Sequence, residues 1–170
     1  TDAGFYVNIL KPLEYMLHAK RDIIEKIKIP FETLEDAESF EEVYRIVCDN
    51  IRVLMCERAR ITRAGGNIWH RVDPLPLFSS TLAECIENKK DYTEGGARYR
   101  DDNYLCFGLP NIVDSLMAIR TLCFEQRVCT LRELLDAVRC NWQGQEALRL
   151  HAVRCPGFGD GSERATALAA

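Results

Sequence analysis

Apolar residues recur every three or four positions along most of this chain, and that spacing predicts a mainly helical fold. Ile9, Leu10, Leu13 and Leu17 mark a first helix, with His18, Lys20 and Arg21 suited to its C-terminal dipole. The connector IKIPFETLEDAES follows, and Pro30 bars an ordinary helix through it. Ser39 and Glu42 predict a capping box, in which the hydroxyl accepts from one free amide and the carboxylate reaches back to another. Phe40, Val43, Tyr44, Val47, Ile51 and Leu54 then give a long helix one apolar stripe, which Gly65-Gly66 is expected to end. Pro74 and Pro76 open a shorter helix through Leu77, Leu82 and Ile86.

From Asp91 to Asn103 the periodicity lapses, which reads as loop, and Tyr104–Phe107 is the best strand candidate. Pro110 suits the first turn of a helix, where its missing N–H is not needed. Ile112, Val113, Leu116 and Ile119 supply that helix with a buried face. Thr130 and Glu133 form a second capping box ahead of Leu131, Leu134, Leu135 and Val138. A last helix spans about Gln145–Val153, and CPGFGDGSE reads as a solvated exit. The result is a mainly α segment with one or two short strands and no internal repeat.

Composition narrows the function classes. The 170 residues, 47% apolar and 28% charged, suit one domain or one piece of a larger one and exclude a disordered chain. A net charge of -4 offers no general basic surface to nucleic acid or anionic lipid. No apolar run approaches the roughly 18–20 residues that span a bilayer. The start, TDAGFYVNIL, has no initiator Met, basic n-region or cleavage site, and is expected to be cut from something longer. Eight cysteines, at 48, 56, 85, 106, 123, 129, 140 and 155, show neither CxxC nor Cys-His ligand spacing. They are expected to be reduced structural thiols on packed helix faces, in a cytoplasmic setting.

Most chemistry-bearing residues have ordinary readings. His18, His70 and His151 have no ligand partner at helical spacing. Ser79-Ser80 lacks a nucleophile elbow, and Gly95-Gly96 lacks both the P-loop and the dinucleotide-binding pattern. Glu94 reads as a solvated loop carboxylate. Asp101-Asp102 and Glu41-Glu42 are adjacent residues that point apart, not acid/base pairs, and Lys89-Lys90 is a charged helix exit.

The stretch DYTEGGARYRDDNYLCFGLPNIVDSLMAI, from Asp91 to Ile119, carries more. Its Gly-Gly break, Tyr-rich segment and Gly-x-Pro-Asn helix start resemble the glycyl radical enzymes, the pyruvate formate-lyase-like superfamily. The likeness runs along almost the whole chain, and the Gly-Gly-Ala-x-Tyr wording resembles the dehydratase-type branch. It implies part of the second half of a ten-stranded α/β barrel. The parent would carry a protein glycyl radical, installed by a radical S-adenosylmethionine activating enzyme, and would act as a homodimer on a small-molecule substrate. RYRDDNYLCF departs from the family pattern and leaves the substrate unassigned.

Two strings imitate the family's active loops. Cys85-Ile86-Glu87 has the Cys-x-Glu spacing of the thiyl loop, but Leu82, Cys85 and Ile86 read as one face of a helix, so Cys85 is expected to be structural. Arg154-Cys155-Pro156-Gly157-Phe158 resembles the radical loop, but the helix pair before it matches the region preceding the radical domain. Both true loops are therefore expected to lie outside this segment, leaving no catalytic residue within it. FYVNILKPLEYML resembles the helix after the thiyl loop, where an aromatic residue lines the substrate cavity; Tyr6 is the expected substrate-binding residue, with Phe5 as the alternative. The competing function class is a non-catalytic helical interaction module.

Overall fold

The computed structural model describes residues 5–18, 28–99 and 103–170. Asp101 and Asp102, and Lys20 and Arg21 at the end of the first predicted helix, lie outside the described residues. The chain opens with strand β1 (Phe5–Asn8) and helix α1 (Lys11–Leu17), followed after an irregular connector by α2 (Phe40–Val72). A single turn, α3 (Pro76–Ser79), and a 3-10 turn (Tyr92–Glu94) precede strand β2 (Tyr104–Phe107). Helix α4 (Leu109–Ile119) runs on into a π-helix (Arg120–Glu125), and α5 (Leu131–Arg139), α6 (Glu146–Val153) and α7 (Glu163–Ala169) complete the described elements. The fold is the mainly α segment with two short strands that the periodicity predicts, and β1 and β2 pair in parallel.

Two compact units share the chain: Thr1–Val7 with Met55–Leu105, and Asn8–Leu54 with Cys106–Ala170. In the second unit, α1, the start of α2, α4 with its π-helix, and α5 enclose one core of Leu13, Met16, Phe40, Val43, Val47, Leu116, Leu122 and Leu135. Helix α4 is apolar on two sides. Ile112, Leu116 and Ile119 enter that core, whereas Val113 and Met117 face Ala165 of α7. The connector is tied down by Asn50, which is 1% exposed. Its Oδ1 accepts from the Glu32 amide at 2.9 Å and its Nδ2 donates to the Glu32 carbonyl at 2.9 Å. Arg139 adds a clip, donating from Nη2 to Glu35 at 2.7 Å and from Nε to the Leu17 carbonyl at 3.3 Å.

Several boundaries differ from the sequence reading. The residues Phe5–Asn8 are a strand, not a helix, so the first helix starts only at Lys11. Helix α2 continues through Gly65-Gly66 to Val72. The helix expected through Leu82 and Ile86 is one turn followed by loop, and Ile86 is 67% exposed. The capping box at Thr130 is complete. At Ser39 only half forms: the hydroxyl accepts from the Glu42 amide at 3.2 Å, but the Glu42 carboxylate takes the Glu38 amide instead, at 3.0 Å. The exit after Cys155 ends in a further helix, α7, capped by Ser162, whose Oγ accepts from the Ala165 amide.

Candidate functional site

Residue by residue, the first unit is organised around Asp91. Its Oδ2 accepts from the Leu75 amide at 3.0 Å and the Ser79 hydroxyl at 2.8 Å. Its Oδ1 accepts from the Thr93 amide at 2.9 Å and the Thr93 hydroxyl at 2.5 Å. Burial alone would raise the Asp91 carboxyl, but these hydrogen bonds outweigh it and hold the group below the ordinary carboxylate value. Ser79 in turn accepts from the Tyr92 amide at 2.8 Å, which explains a buried serine without any nucleophilic role.

The Gly-Gly pair closes the same turn. Gly95 takes the left-handed conformation, φ 84°, at the end of the 3-10 turn. At Gly96 an added Cβ would lie 2.1 Å from the Lys90 carbonyl oxygen, so no other residue fits without moving backbone. Asn88 donates to the Gly96 carbonyl at 2.9 Å, and Arg98 to Glu84 at 2.6 Å. TEGGAR is thus a folded turn locked by its own neighbours.

Cys85 is 3% exposed beside this turn. Burial, with Asp91 and Glu87 adding to it, pushes its thiol up. The burial expected for it is present, but the helical face invoked for it does not exist. A shallow depression of about 300 Å³ runs past Ser79, Cys85, Lys89 and Lys90, open to solvent. Tyr6 belongs to the same unit, on β1, with its side chain 71% exposed while neighbouring Val7 is 5% exposed.

In the second unit, strand ends feed helix starts through two tight junctions. Asn8 Oδ1 accepts from the Leu10 amide at 3.0 Å and shapes the turn into α1. Gly108, φ 95°, starts α4; a Cβ there would meet Leu10 Cβ at 2.9 Å. On α4, Asp114 Oδ1 accepts from the Phe158 amide at 2.7 Å. A Cβ on Gly157 would lie 2.8 Å from that same oxygen, and the Gly157 amide donates to Asp160 at 2.8 Å. The Asp160 carboxyl is held below the ordinary carboxylate value by the Gly157 and Ser162 amides. Gly157 is therefore a packing glycine in a surface turn docked on α4. Its setting does not fit a shielded radical loop, because its neighbours Pro156, Phe158 and Gly159 are exposed.

A half-open groove of about 680 Å³ lies beside this turn, lined by Ser115, Leu134, Val138, Trp142 and Arg149 among others. Tyr6 and Cys85 belong to one unit and Gly157 to the other. Among the described residues no group of three or more His, Cys, Asp or Glu could hold a metal ion, and no helix is long and apolar enough to cross a membrane. All eight cysteines are free; Cys85 is buried and Cys123, Cys129 and Cys155 pack against the core, whereas Cys56, Cys106 and Cys140 are exposed, which corrects the expectation of packed thiols at those three. The roles of Asp91 and Asp114 were missed, although Asp-x-Thr at 91–93 is a recognisable side-chain turn signal.

The chain matches the pyruvate formate lyase-like family over residues 1–170. It is 32% identical over 163 residues to the trans-4-hydroxy-L-proline dehydratase of Clostridioides difficile, covering 94% of this chain and 21% of that protein. With the (2S)-3-sulfopropanediol dehydratase of Klebsiella oxytoca it shares 29% identity over 145 residues, 84% of this chain and 18% of the relative. The crystal structure of hydroxyproline dehydratase from Clostridioides difficile, with trans-4-hydroxy-L-proline bound, superposes with a TM-score of 0.83 at 31% identity, over 96% of this chain and 21% of that one. The chain spans about a fifth of the length of these relatives. It belongs to the pyruvate formate lyase-like family, and its relatives are glycyl radical dehydratases and lyases.

Proposed function

We propose that this chain is a segment of a glycyl radical dehydratase or lyase and is not catalytic by itself. The carrying observation is a family match along all 170 residues by a chain that covers about a fifth of its relatives' length. The whole enzyme would use radical C–H abstraction to cleave a C–O, C–N or C–C bond of a small polar metabolite. A protein glycyl radical would supply that chemistry, installed by a radical S-adenosylmethionine activating enzyme in a cytoplasmic homodimer. Neither string that imitates an active loop supports a seat for it: Cys85 is buried and Gly157 is packed on Asp114. Residues 1–170 are assigned to one part of a single pyruvate formate-lyase-like domain, in the second half of its barrel. Tyr6 is the residue assigned to substrate binding, because its exposed ring stands on β1, two residues before the strand's end.

The test compares this chain with the longer polypeptide that carries it, each given activating enzyme, S-adenosylmethionine and reductant. The longer polypeptide should show the glycyl radical doublet by electron paramagnetic resonance, and this chain alone should not. A doublet from the chain alone, lost on Gly157→Ala, would overturn the reading. In the active polypeptide, Tyr6→Ala should raise KM about tenfold, equivalent to about 1.4 kcal/mol. An unchanged KM removes Tyr6 from the pocket.

A further inference from the structure

Two cysteines meet where α4 gives way to α5. Cys123 lies in the π-helix and Cys129 one residue before the Thr130 cap, with their sulfurs 3.9 Å apart. Among the described residues no other two cysteine sulfurs make such a contact, and both thiols are half-buried. The backbone holds them there. The Gln126 amide donates to the Thr121 carbonyl and the Val128 amide to the Leu122 carbonyl, each at 2.8 Å. Arg127, at φ 52°, reverses the chain between the two cysteines. π-helical turns are costly and often coincide with functional positions. Here the wide turn carries Cys123 toward a residue six positions on. Glu125, Gln126, Arg127 and Val128 are exposed, so a small polar oxidant reaches the turn from solvent.

We propose that Cys123 and Cys129 form a modification site, a dithiol that peroxide oxidises to an intrachain disulfide tying the π-helix to the start of α5. The sulfurs must approach by about 2 Å to reach bonding distance, a shift within reach of side-chain rotation. Cys129 reacts first. Its thiolate attacks one peroxide oxygen, an S–O bond forms, the O–O bond breaks and hydroxide leaves. Cys123 then attacks the sulfenyl sulfur of Cys129; the S–S bond forms, the S–O bond breaks and water departs. Two thiols are oxidised and one hydrogen peroxide is reduced to two waters. The order follows from burial and the contact: burial first and Cys129 second push the Cys123 thiol well up, whereas at Cys129 the contact with Cys123 works against the effect of burial. Burial raises Cys129 too, so the reaction should be slow at neutral pH and quicken as pH rises.

The test treats the folded chain with limiting hydrogen peroxide at several pH values, alkylates the remaining thiols, and digests with trypsin without reductant. Cleavage after Arg120, Arg127 and Arg132 places the two thiols on separate peptides, TLCFEQR and VCTLR. Among disulfides, the linked pair should accumulate about tenfold ahead of any other, because a partner held in contact captures the sulfenic acid at high effective concentration. That lead should shrink in guanidinium. In Cys123→Ser, Cys129 should stop at a sulfenic acid that dimedone traps; in Cys129→Ser, Cys123 should resist oxidation. The proposal is overturned if another disulfide forms first, if guanidinium leaves the lead unchanged, or if Cys123 oxidises equally well without Cys129.

Discussion

Asp91 accepts four hydrogen bonds from groups on both sides of a turn, so its charge works as a local organiser of the first unit. Asp91→Asn puts an amide donor where only acceptors are wanted and should destabilise that unit by about 1–3 kcal/mol at pH 7. The pH dependence has a definite sign. A carboxyl whose folded value is depressed stabilises the fold above its unfolded value, 3.8, and loses that contribution as pH falls through the lower folded value. The stability gap between the parent chain and Asp91→Asn, read from denaturation midpoints, should hold from pH 7 to 5 and close below 3.8. A gap that stays constant to pH 3 would mean that the charge contributes nothing. At this scale the sequence was readable where a residue acts on its near neighbours. Thr130 and Glu133 are such a case, and Asp91 with Thr93 shows the same kind of signal. Contacts across dozens of positions, such as Asp114 with Phe158 or Asn50 with Met16, leave no local trace.

Elements were legible in proportion to their length and to the strength of their stop signals. Helices α4, α5 and α6 begin within a residue of where proline, capping threonine and apolar spacing put them. Phe5–Asn8 was misread because four residues cannot establish a period of two, and Ile9 and Leu10 continue the spacing of α1 backwards. Gly65-Gly66 misled for a different reason. Each glycine costs a helix about 1 kcal/mol, but neither breaks it, and no proline or cap stands there to stop a helix already running. A Cβ added at Gly65 meets nothing within 4 Å. Gly65→Ala should therefore stabilise α2 in this chain by about 0.5–1 kcal/mol, seen as a raised thermal midpoint by circular dichroism. A lowered midpoint would place an unseen contact at that position.

At the scale of the whole molecule, the two units differ in how much they bury. The second closes a core drawn from α1, α2, α4 and α5. Among the described residues of the first, only Val7, Cys85 and Tyr92 are buried apolar side chains, while Trp69, Val72, Leu77 and Ile86 are 52%, 69%, 86% and 67% exposed. Ile61, Gly65, Ile68, Trp69 and Val72 fall on one side of α2, so the exposure is a stripe and not a scatter. Strand β2 pairs with β1, yet a two-stranded sheet still has two open edges. Such a surface fits a segment whose family relatives are about five times longer. At about 25 cal/mol per Å², several hundred Å² of uncovered apolar area amounts to about 10 kcal/mol, as much as a domain's whole stability. The chain alone should therefore self-associate, and its first unit should open well before its second. Hydrogen exchange tests both points. Amides from 76 to 99 should exchange rapidly while those of α4 stay protected, and dilution should speed exchange along the stripe of α2. A monodisperse monomer with uniform protection and one sharp, reversible transition would instead favour an autonomous helical module.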